Sequence, residues 1–405
     1  MTSRKIPFSP PDITTLEKQY VMDALDSGWI TTGPKVKEFE RRIAAYCSAS
    51  RGVCLNSATA AMEMTLRLLG VRSGDEVITS AYTYTASASV IDHVGAKIVL
   101  CDVAPGSFQM DVNALEGLIT DKTKAIIPVD IGGVICDYDA IHELIESKRE
   151  LFEPGTGIQR AMGRIAIIAD AAHSFGSYRG GKPSGSLTDF TCFSFHAVKN
   201  LTTAEGGAVV WTPKEGICDD AIYRELMLWS LHGQTKDALT KTAPGAWEYD
   251  IMKLGYKCNM TDIAAAMGLA QLERFTEILK NRGEIASIYD TLLSKDYIDT
   301  IQHTDDNFTS NFHLYMTRIK GADETSRNKI IQRMAKMGVS ANVHFKPLPL
   351  FTAYKNLGFA IDDFPNAYNQ YKNEISLPIY STLSVEDAQY VCEVFLAAIE
   401  EALNV

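Results

Sequence analysis

The chain has eight cysteines, Cys47, Cys54, Cys101, Cys136, Cys192, Cys218, Cys258 and Cys392, but no CxxC pair among them, and several lie in apolar runs. Zinc sites and disulfide scaffolds depend on closely spaced cysteines, so the sequence predicts reduced core thiols and no metal centre. Positive charge is also short: 39 Lys and Arg against 50 Asp and Glu give a net charge of −11. Nucleic acid and anionic membrane surfaces both need basic patches, so neither is an expected partner. No apolar run reaches the length of a membrane span, and none follows the opening Met1-Thr2-Ser3-Arg4-Lys5-Ile6-Pro7. A cytoplasmic location is the expectation. Internal repeats and low-complexity tracts are absent too. What remains is an ordinary globular composition, 46% hydrophobic and 22% charged. Its 405 residues suffice for two domains, or for one large α/β domain with a smaller appendage.

Two helical patterns, 13–27 and 35–49, flank the turn-rich loop Gly28-Trp29-Ile30-Thr31-Thr32-Gly33-Pro34. From Gly52 onward, short apolar runs alternate with amphipathic stretches. The pattern predicts strands at 52–55, 76–79, 97–100, 125–129, 165–169, 190–195 and 208–211, and helices at 58–69, 84–94, 111–119 and 139–148. Strand and helix in alternation, with nearly continuous apolar strands, predict a parallel sheet covered on both faces. In such sheets ligands bind outside the C-terminal strand ends. Residues 150–164 read as a surface insertion and 234–249 as a long polar loop. A single long amphipathic helix is expected from 260 to 279 and on past 281. Segments 311–319, 329–337 and 384–402 predict a smaller α+β domain, with the division between residues 258 and 259.

Charge at the ends of these strands is where chemistry is expected. Lys199 closes the apolar, aromatic run Phe193-Ser194-Phe195-His196-Ala197-Val198, and Gly206-Gly207 follows shortly. Such a lysine is either a snorkelling surface residue or a desolvated amine suited to Schiff-base chemistry. Asp170 ends the strand at 165–169, where a carboxylate needs a cationic or hydrogen-bonding partner. That partner is a cofactor's protonated ring nitrogen, an arginine or a capping amide. Lysine and aspartate together match what pyridoxal phosphate requires, a Schiff-base amine and an acid at the pyridine nitrogen. Asn56-Ser57-Ala58-Thr59 follows the first strand and opens a helix, which suits a phosphate or is a plain N-cap. Ser194 offers a further donor. Ser80-Ala81-Tyr82-Thr83-Tyr84-Thr85 follows the next strand, and one of its aromatics either covers a cofactor ring or belongs to the core.

The runs FSFHAVKNLTTAEGGAVV, IADAAHSFG, SATAAM, GWITTGPKVKEFE and LGYKCNMTDIAAAMGLAQLERF resemble the DegT/DnrJ/EryC1/StrS family of sugar aminotransferases over nearly the whole chain. The resemblance implies a fold-type I pyridoxal-phosphate enzyme: a large domain with a mostly parallel seven-stranded sheet between helices, and a smaller C-terminal α+β domain. It implies transfer of an amino group from L-glutamate to a nucleotide-linked keto sugar, with wording nearest members acting at C4. Lys199 then corresponds to the Schiff-base lysine and later general acid/base, Asp170 to the acid at the ring nitrogen, and His173 to a residue beside the cofactor's phenolic oxygen. Ala58, Thr59 and Ser194 correspond to the phosphate site, and Tyr84 to the stacked aromatic. The family's homodimer closes each site with a neighbour's loop, matched here by Gly255-Tyr256-Lys257-Cys258-Asn259. Many members read Gly-x-Asn-x-Arg there, so Lys257 stands in the Asn position and either Lys257 or Asn259 faces the phosphate. Trp29, Thr31, His344 and Lys346 match regions that approach the sugar nucleotide.

Two alternatives lie beside this reading. Some relatives carry histidine in place of the lysine and dehydrate the sugar; Lys199 argues against that branch, and His196 is a separate histidine. A ligand-binding regulator without catalysis would not need the lysine, the aspartate and the phosphate loop together.

Overall fold

The computed structural model describes residues 4–214, 216–237, 239 and 247–403. In chain order, the first part of the chain forms α1 (Thr15–Asp26), α2 (Pro34–Tyr46), β1 (Arg51–Leu55), α3 (Ala58–Leu69), β2 (Glu76–Ser80), α4 (Ala86–His93), β3 (Lys97–Cys101), α5 (Val112–Glu116), β4 (Thr123–Ile127), α6 (Tyr138–Ser147), α7 (Gly157–Met162), β5 (Ala166–Asp170), β6 (Tyr178–Arg179), β7 (Lys182–Pro183), β8 (Phe190–Ser194), β9 (Gly207–Trp211) and α8 (Asp219–Ser230), of which β6 and β7 pair with the later β11 in a small sheet of their own. There follow α9 (Asp262–Glu273), α10 (Phe275–Leu292), β10 (Ile298–Thr300), β11 (Phe308–Thr309), β12 (Tyr315–Ile319), α11 (Glu324–Lys336), α12 (Thr352–Asn356), α13 (Pro365–Tyr371), β13 (Glu374–Leu377) and α14 (Val385–Leu403).

The main sheet has seven strands in the order β1-β9-β8-β5-β4-β2-β3. Pairs β2–β3, β2–β4, β4–β5 and β5–β8 are parallel, while β9 runs against both β8 and β1. The expected strands are therefore present, and a single strand, β9, breaks the parallel rule. Val53, Val77, Ile126, Ile168 and Val209 are fully buried, as strands covered on both faces require. A three-stranded antiparallel sheet, β10-β12-β13, forms the smaller C-terminal layer, with its own core around Tyr289, Tyr315 and Phe395.

Local chemistry explains the element ends that shape the site. Ser57 caps α3 by accepting from Ala60 N–H at 3.0 Å, and Gly70 ends the helix at φ +72°. The long helix expected from residue 260 is instead two helices, broken at Arg274 (φ −106°, ψ +10°). Its guanidinium is held at 2.6 Å by Asp12 and at 3.0 Å by Glu17, ion pairs that the helical period of the segment does not reveal. The insertion at 150–164 carries α7 and packs on the end of α3. Thr156 Oγ1 and Gln159 Nε2 donate to the Leu69 carbonyl at 3.0 and 2.9 Å, satisfying an acceptor that the last turn of a helix leaves orphaned.

All eight cysteines are free, and seven are buried; Cys218 is exposed where α8 begins, so it is not the core thiol expected. Of the long loop 234–249, residues 238 and 240–246 lie outside the described residues. Among the described residues no helix is long and apolar enough to cross a membrane.

Candidate active site

A cavity of about 420 Å³ opens at the C-terminal ends of β1, β2, β4 and β5, the place where open α/β sheets bind ligands. Ala58, Thr59, Tyr84, Asp170, His173, Ser194, Lys199 and His344 all line it. Residues nearly 290 positions apart in the chain are thus gathered by the sheet at one wall.

Asp170 is 4% exposed at the last position of β5. Its Oδ2 accepts from Ser87 Oγ at 2.6 Å and its Oδ1 from Ala172 N–H at 3.2 Å. Burial raises its pKa, against the pull of those bonds and of Lys199. Lys199 sits in the turn after β8, its N–H donating to His196 O at 2.9 Å. Burial lowers its ammonium from 10.5 to about 8, with Asp170 opposing the shift. The arrangement therefore provides an amine with a substantial uncharged fraction near neutral pH, beside a carboxylate in want of a cation.

His173 is neutral: burial first, then Lys199 and His344, push its pKa well down. Its Nδ1 accepts from Gly132 N–H at 3.2 Å, so the ring hydrogen is on Nε2. The Gly132-Gly133 turn that places this amide needs glycine: Gly133 has φ +91°, and a Cβ there would meet Asn311 Oδ1 at 2.0 Å. His313, which also lines the cavity, packs on His173 with ring centroids 4.4 Å apart. Asn200 Nδ2 donates to Asn311 O, leaving its Oδ1 to accept from His313 Nδ1–H at 2.9 Å.

The N-terminus of α3 forms a cradle. β9 approaches it so closely that a Cβ on Gly207 would lie 2.3 Å from the Ser57 carbonyl carbon and 2.4 Å from Ala58 N. The amides of Ala58 and Thr59, the helix dipole and the Ser194 hydroxyl give donors and positive potential for an anion. Tyr84 is 62% exposed at the mouth, and the ring of Phe345 lies 6.1 Å from it. A half-buried, desolvated amine, a carboxylate beside it and an anion cradle are the donor set that pyridoxal phosphate requires.

Five of the residues singled out from sequence lie elsewhere. Trp29 Nε1 donates to Thr32 O, the Thr31 carbonyl accepts from Asp262 N–H, and Asn259 Nδ2 and Lys257 Nζ extend the same cluster through Thr32 and Asn259. This group lies outside the chain's own cavity. Lys346 is exposed, its ammonium 4.9 Å from the centroid of the Phe351 ring. Ser87, Thr83, His313 and Phe8 were not identified from sequence. Phe8 arrives because Ile6 pairs with Val339, and it stacks on His344 with centroids 5.4 Å apart.

The profile of the DegT/DnrJ/EryC1/StrS aminotransferase family matches residues 11–396. The chain belongs to this family. It is 37% identical over 394 residues to the spore coat polysaccharide biosynthesis protein SpsC of Bacillus subtilis, covering 96% of this chain and 95% of that protein. The UDP-4-amino-4-deoxy-L-arabinose–oxoglutarate aminotransferase of Shewanella sediminis is 33% identical over 412 residues, covering 100% of both chains. Spr1654 of Streptococcus pneumoniae, assigned as a sugar aminotransferase and solved in a PMP form, superposes with a TM-score of 0.96 at 52% identity over 98% of this chain and 100% of its own. The same protein has been solved in a PLP form. Members of this aminotransferase family share the α/β architecture and sheet seen here.

Proposed function

We propose that the protein is a pyridoxal-phosphate-dependent sugar aminotransferase that takes the amino group of L-glutamate and places it on the C4 keto carbon of a nucleotide-linked sugar. The observation that carries this reading is the meeting of Lys199, Asp170 and the α3 amides in one cavity. The 33% identical relative named for a UDP-linked 4-amino sugar and for oxoglutarate supports the C4 position and the glutamate donor.

Pyridoxal phosphate, when bound, would supply a carbonyl for the amino group and an electron-withdrawing ring. The chain's own residues do the rest. Ala58 and Thr59 N–H with Ser194 Oγ–H would hold the phosphate at the α3 N-terminus. Asp170, fixed by Ser87 and Ala172, would pair with the ring nitrogen and keep it positively charged. His173, its Nδ1 occupied by Gly132 N–H, would donate Nε2–H to the cofactor's phenolic oxygen, and Tyr84 would cover the ring. Lys199, desolvated and with its pKa lowered to about 8, would take up and release the proton as general base and acid. Phe8, Phe345 and His344 wall the acceptor's side and keep water out.

The cluster of Trp29, Thr31, Lys257 and Asn259 does not line this cavity, and its role in the reading is to complete the site of another chain. Next to it runs an apolar surface of Ile251, Met252, Leu254 and Tyr256, with Leu254 93% exposed. Such a patch calls for a covering partner, and a second copy completes the reading as a homodimer with shared sites. We place the boundary between the large and small domains at residues 258 and 259, just before α9.

The test is a panel of nucleotide-linked 3-keto and 4-keto sugars, incubated with L-glutamate and pyridoxal phosphate and assayed for 2-oxoglutarate and the amino sugar. Amination of a 4-keto sugar is expected; turnover of 3-keto sugars alone would move the reaction to C3.

A further inference from the structure

Glu374 and Ser376 stand two residues apart on β13, on one face, and both are fully buried. Neither touches the cavity, but His344 does, and all three are joined. Glu374 Oε2 accepts from the His344 backbone N–H at 2.8 Å, Glu374 Oε1 lies 2.5 Å from Ser376 Oγ, and Ser376 Oγ lies 2.9 Å from His344 Nδ1. The backbone pins the arrangement: Asn342 and Ser376 exchange hydrogen bonds of 3.1 and 2.8 Å, and Tyr82 Oη donates to His344 O at 2.7 Å.

We propose that Glu374 is a positioning residue for the acceptor sugar: through Ser376, its protonation state fixes which ring nitrogen of His344 carries hydrogen, and hence whether His344 donates to the sugar or accepts from it. This rests on the reading of His344 as a wall of the acceptor site. Ser376 has one hydrogen, so the chain has two orderings. With Glu374 neutral, its O–H donates to Ser376 Oγ, Ser376 donates to Nδ1, and Nε2 presents an N–H to the cavity. With Glu374 ionised, Ser376 donates to the carboxylate and accepts from Nδ1–H, and Nε2 presents a lone pair. Passing from the first state to the second shifts a hydrogen from Glu374 to Ser376, one from Ser376 to Nδ1 and one from Nε2 to cavity water. One proton leaves in all, and the imidazole is neutral throughout.

The surroundings permit this. Burial pushes Glu374 up to about 8, against its bonds from Ser376 and His344 and against Arg327 of α11. Arg318 stands opposite on β12, and the buried Tyr82, bonded to the His344 carbonyl, feels the charge of Glu374. His344 is held down to about 3 by burial and then by Lys199 across the cavity, so it does not become an imidazolium in the working range. At neutral pH the protonated Glu374 gives His344 the Nε2–H form, a donor matched to the carbonyl and hydroxyl oxygens of a keto sugar.

The holoenzyme, labelled with 15N-histidine, reports the ordering in its ring nitrogen shifts between pH 6 and 10, with the His344 signals identified by their loss in His344→Gln. In the wild type His344 is expected to pass from Nε2–H to Nδ1–H near the titration of Glu374. Glu374→Gln should hold Nε2–H throughout, because its oxygen accepts the His344 amide and its NH2 donates to Ser376. The KM for the keto sugar should then rise several-fold above about pH 8 in the wild type and stay flat in Glu374→Gln, while the spectral response to L-glutamate is the same in both. Ser376→Ala, in which the side chains no longer meet, should lose the pH dependence as well. A His344 tautomer that is constant with pH in the wild type, or that titrates alike in Glu374→Gln, overturns the proposal. Loss of the glutamate response in the wild type would instead overturn the aminotransferase reading and leave the tautomer result standing.

Discussion

The Ser87 hydroxyl donates to Asp170 Oδ2 at 2.6 Å, and Thr83 Oγ1 lies 2.8 Å behind it. Both residues lie in the segment after β2, so the strand end that presents Tyr84 to the cavity also fixes the carboxylate. Removing the hydroxyl leaves one oxygen of a buried carboxylate without its donor. Ser87→Ala should therefore weaken the charge partner of the cofactor ring and cost about 1.5–3 kcal/mol in cofactor affinity. Equilibrium titration with pyridoxal phosphate checks this, and an unchanged dissociation constant would make Ser87 a packing residue only.

Lys199 gives a pH dependence with a definite sign. An amine captures a carbonyl only when uncharged, and burial brings its pKa down to about 8 from 10.5. On mixing cofactor-free protein with pyridoxal phosphate, the capture rate should climb roughly tenfold per pH unit below that value and level off above it. A rate still climbing at that slope up to pH 10 would show an unperturbed lysine.

The contact between β9 and α3 leaves no room for a side chain at position 207. Gly207→Ala should force Ser57 and Ala58 apart from the strand, costing about 1–3 kcal/mol of stability and weakening phosphate retention with it. Thermal unfolding and the inorganic phosphate dependence of cofactor loss measure the two effects. Loss of stability without loss of retention would separate the cradle from the cofactor.

The insertion at 150–164 supplies a contrast. Gln159 is 2% exposed and joins the Leu69 carbonyl to the Gly155 amide. Gln159→Ala should lower stability by about 1–3 kcal/mol while leaving cofactor affinity and turnover unaltered, since the contact is at the far end of α3 from the cavity. Chemical denaturation and steady-state assays decide it; a large fall in turnover at full stability would place the insertion in the site's machinery.

What could be read from the residues alone follows from where each signal resides. β2, β4 and β5 are buried on both faces, and their continuous apolar runs announce themselves. Asp170 and Lys199 are visible because a charge at the end of such a run has no ordinary reason to be there. Ser87 gives no such signal: a serine in the first turn of a helix is unremarkable until the fold brings Asp170 beside it. β13 is short, and its Glu374 breaks the apolar pattern, so neither the strand nor its link to His344 shows in the periodicity. The break at Arg274 is invisible for the converse reason, since the helical period runs on across it while Asp12 and Glu17, more than 250 residues earlier, decide the geometry.

The central claim is that Lys199 and Asp170 hold pyridoxal phosphate for exchange with an amino acid. Its most direct test is the absorption spectrum of the protein loaded with the cofactor, recorded before and after L-glutamate and without any sugar, for the wild type and Lys199→Ala. The wild type should show a visible band that gives way to a near-ultraviolet one on adding glutamate, while the variant holds the cofactor non-covalently and does not respond. A visible band untouched by glutamate and by other amino acids would contradict the account and favour a dehydratase. A full glutamate response in Lys199→Ala would take the lysine out of its role.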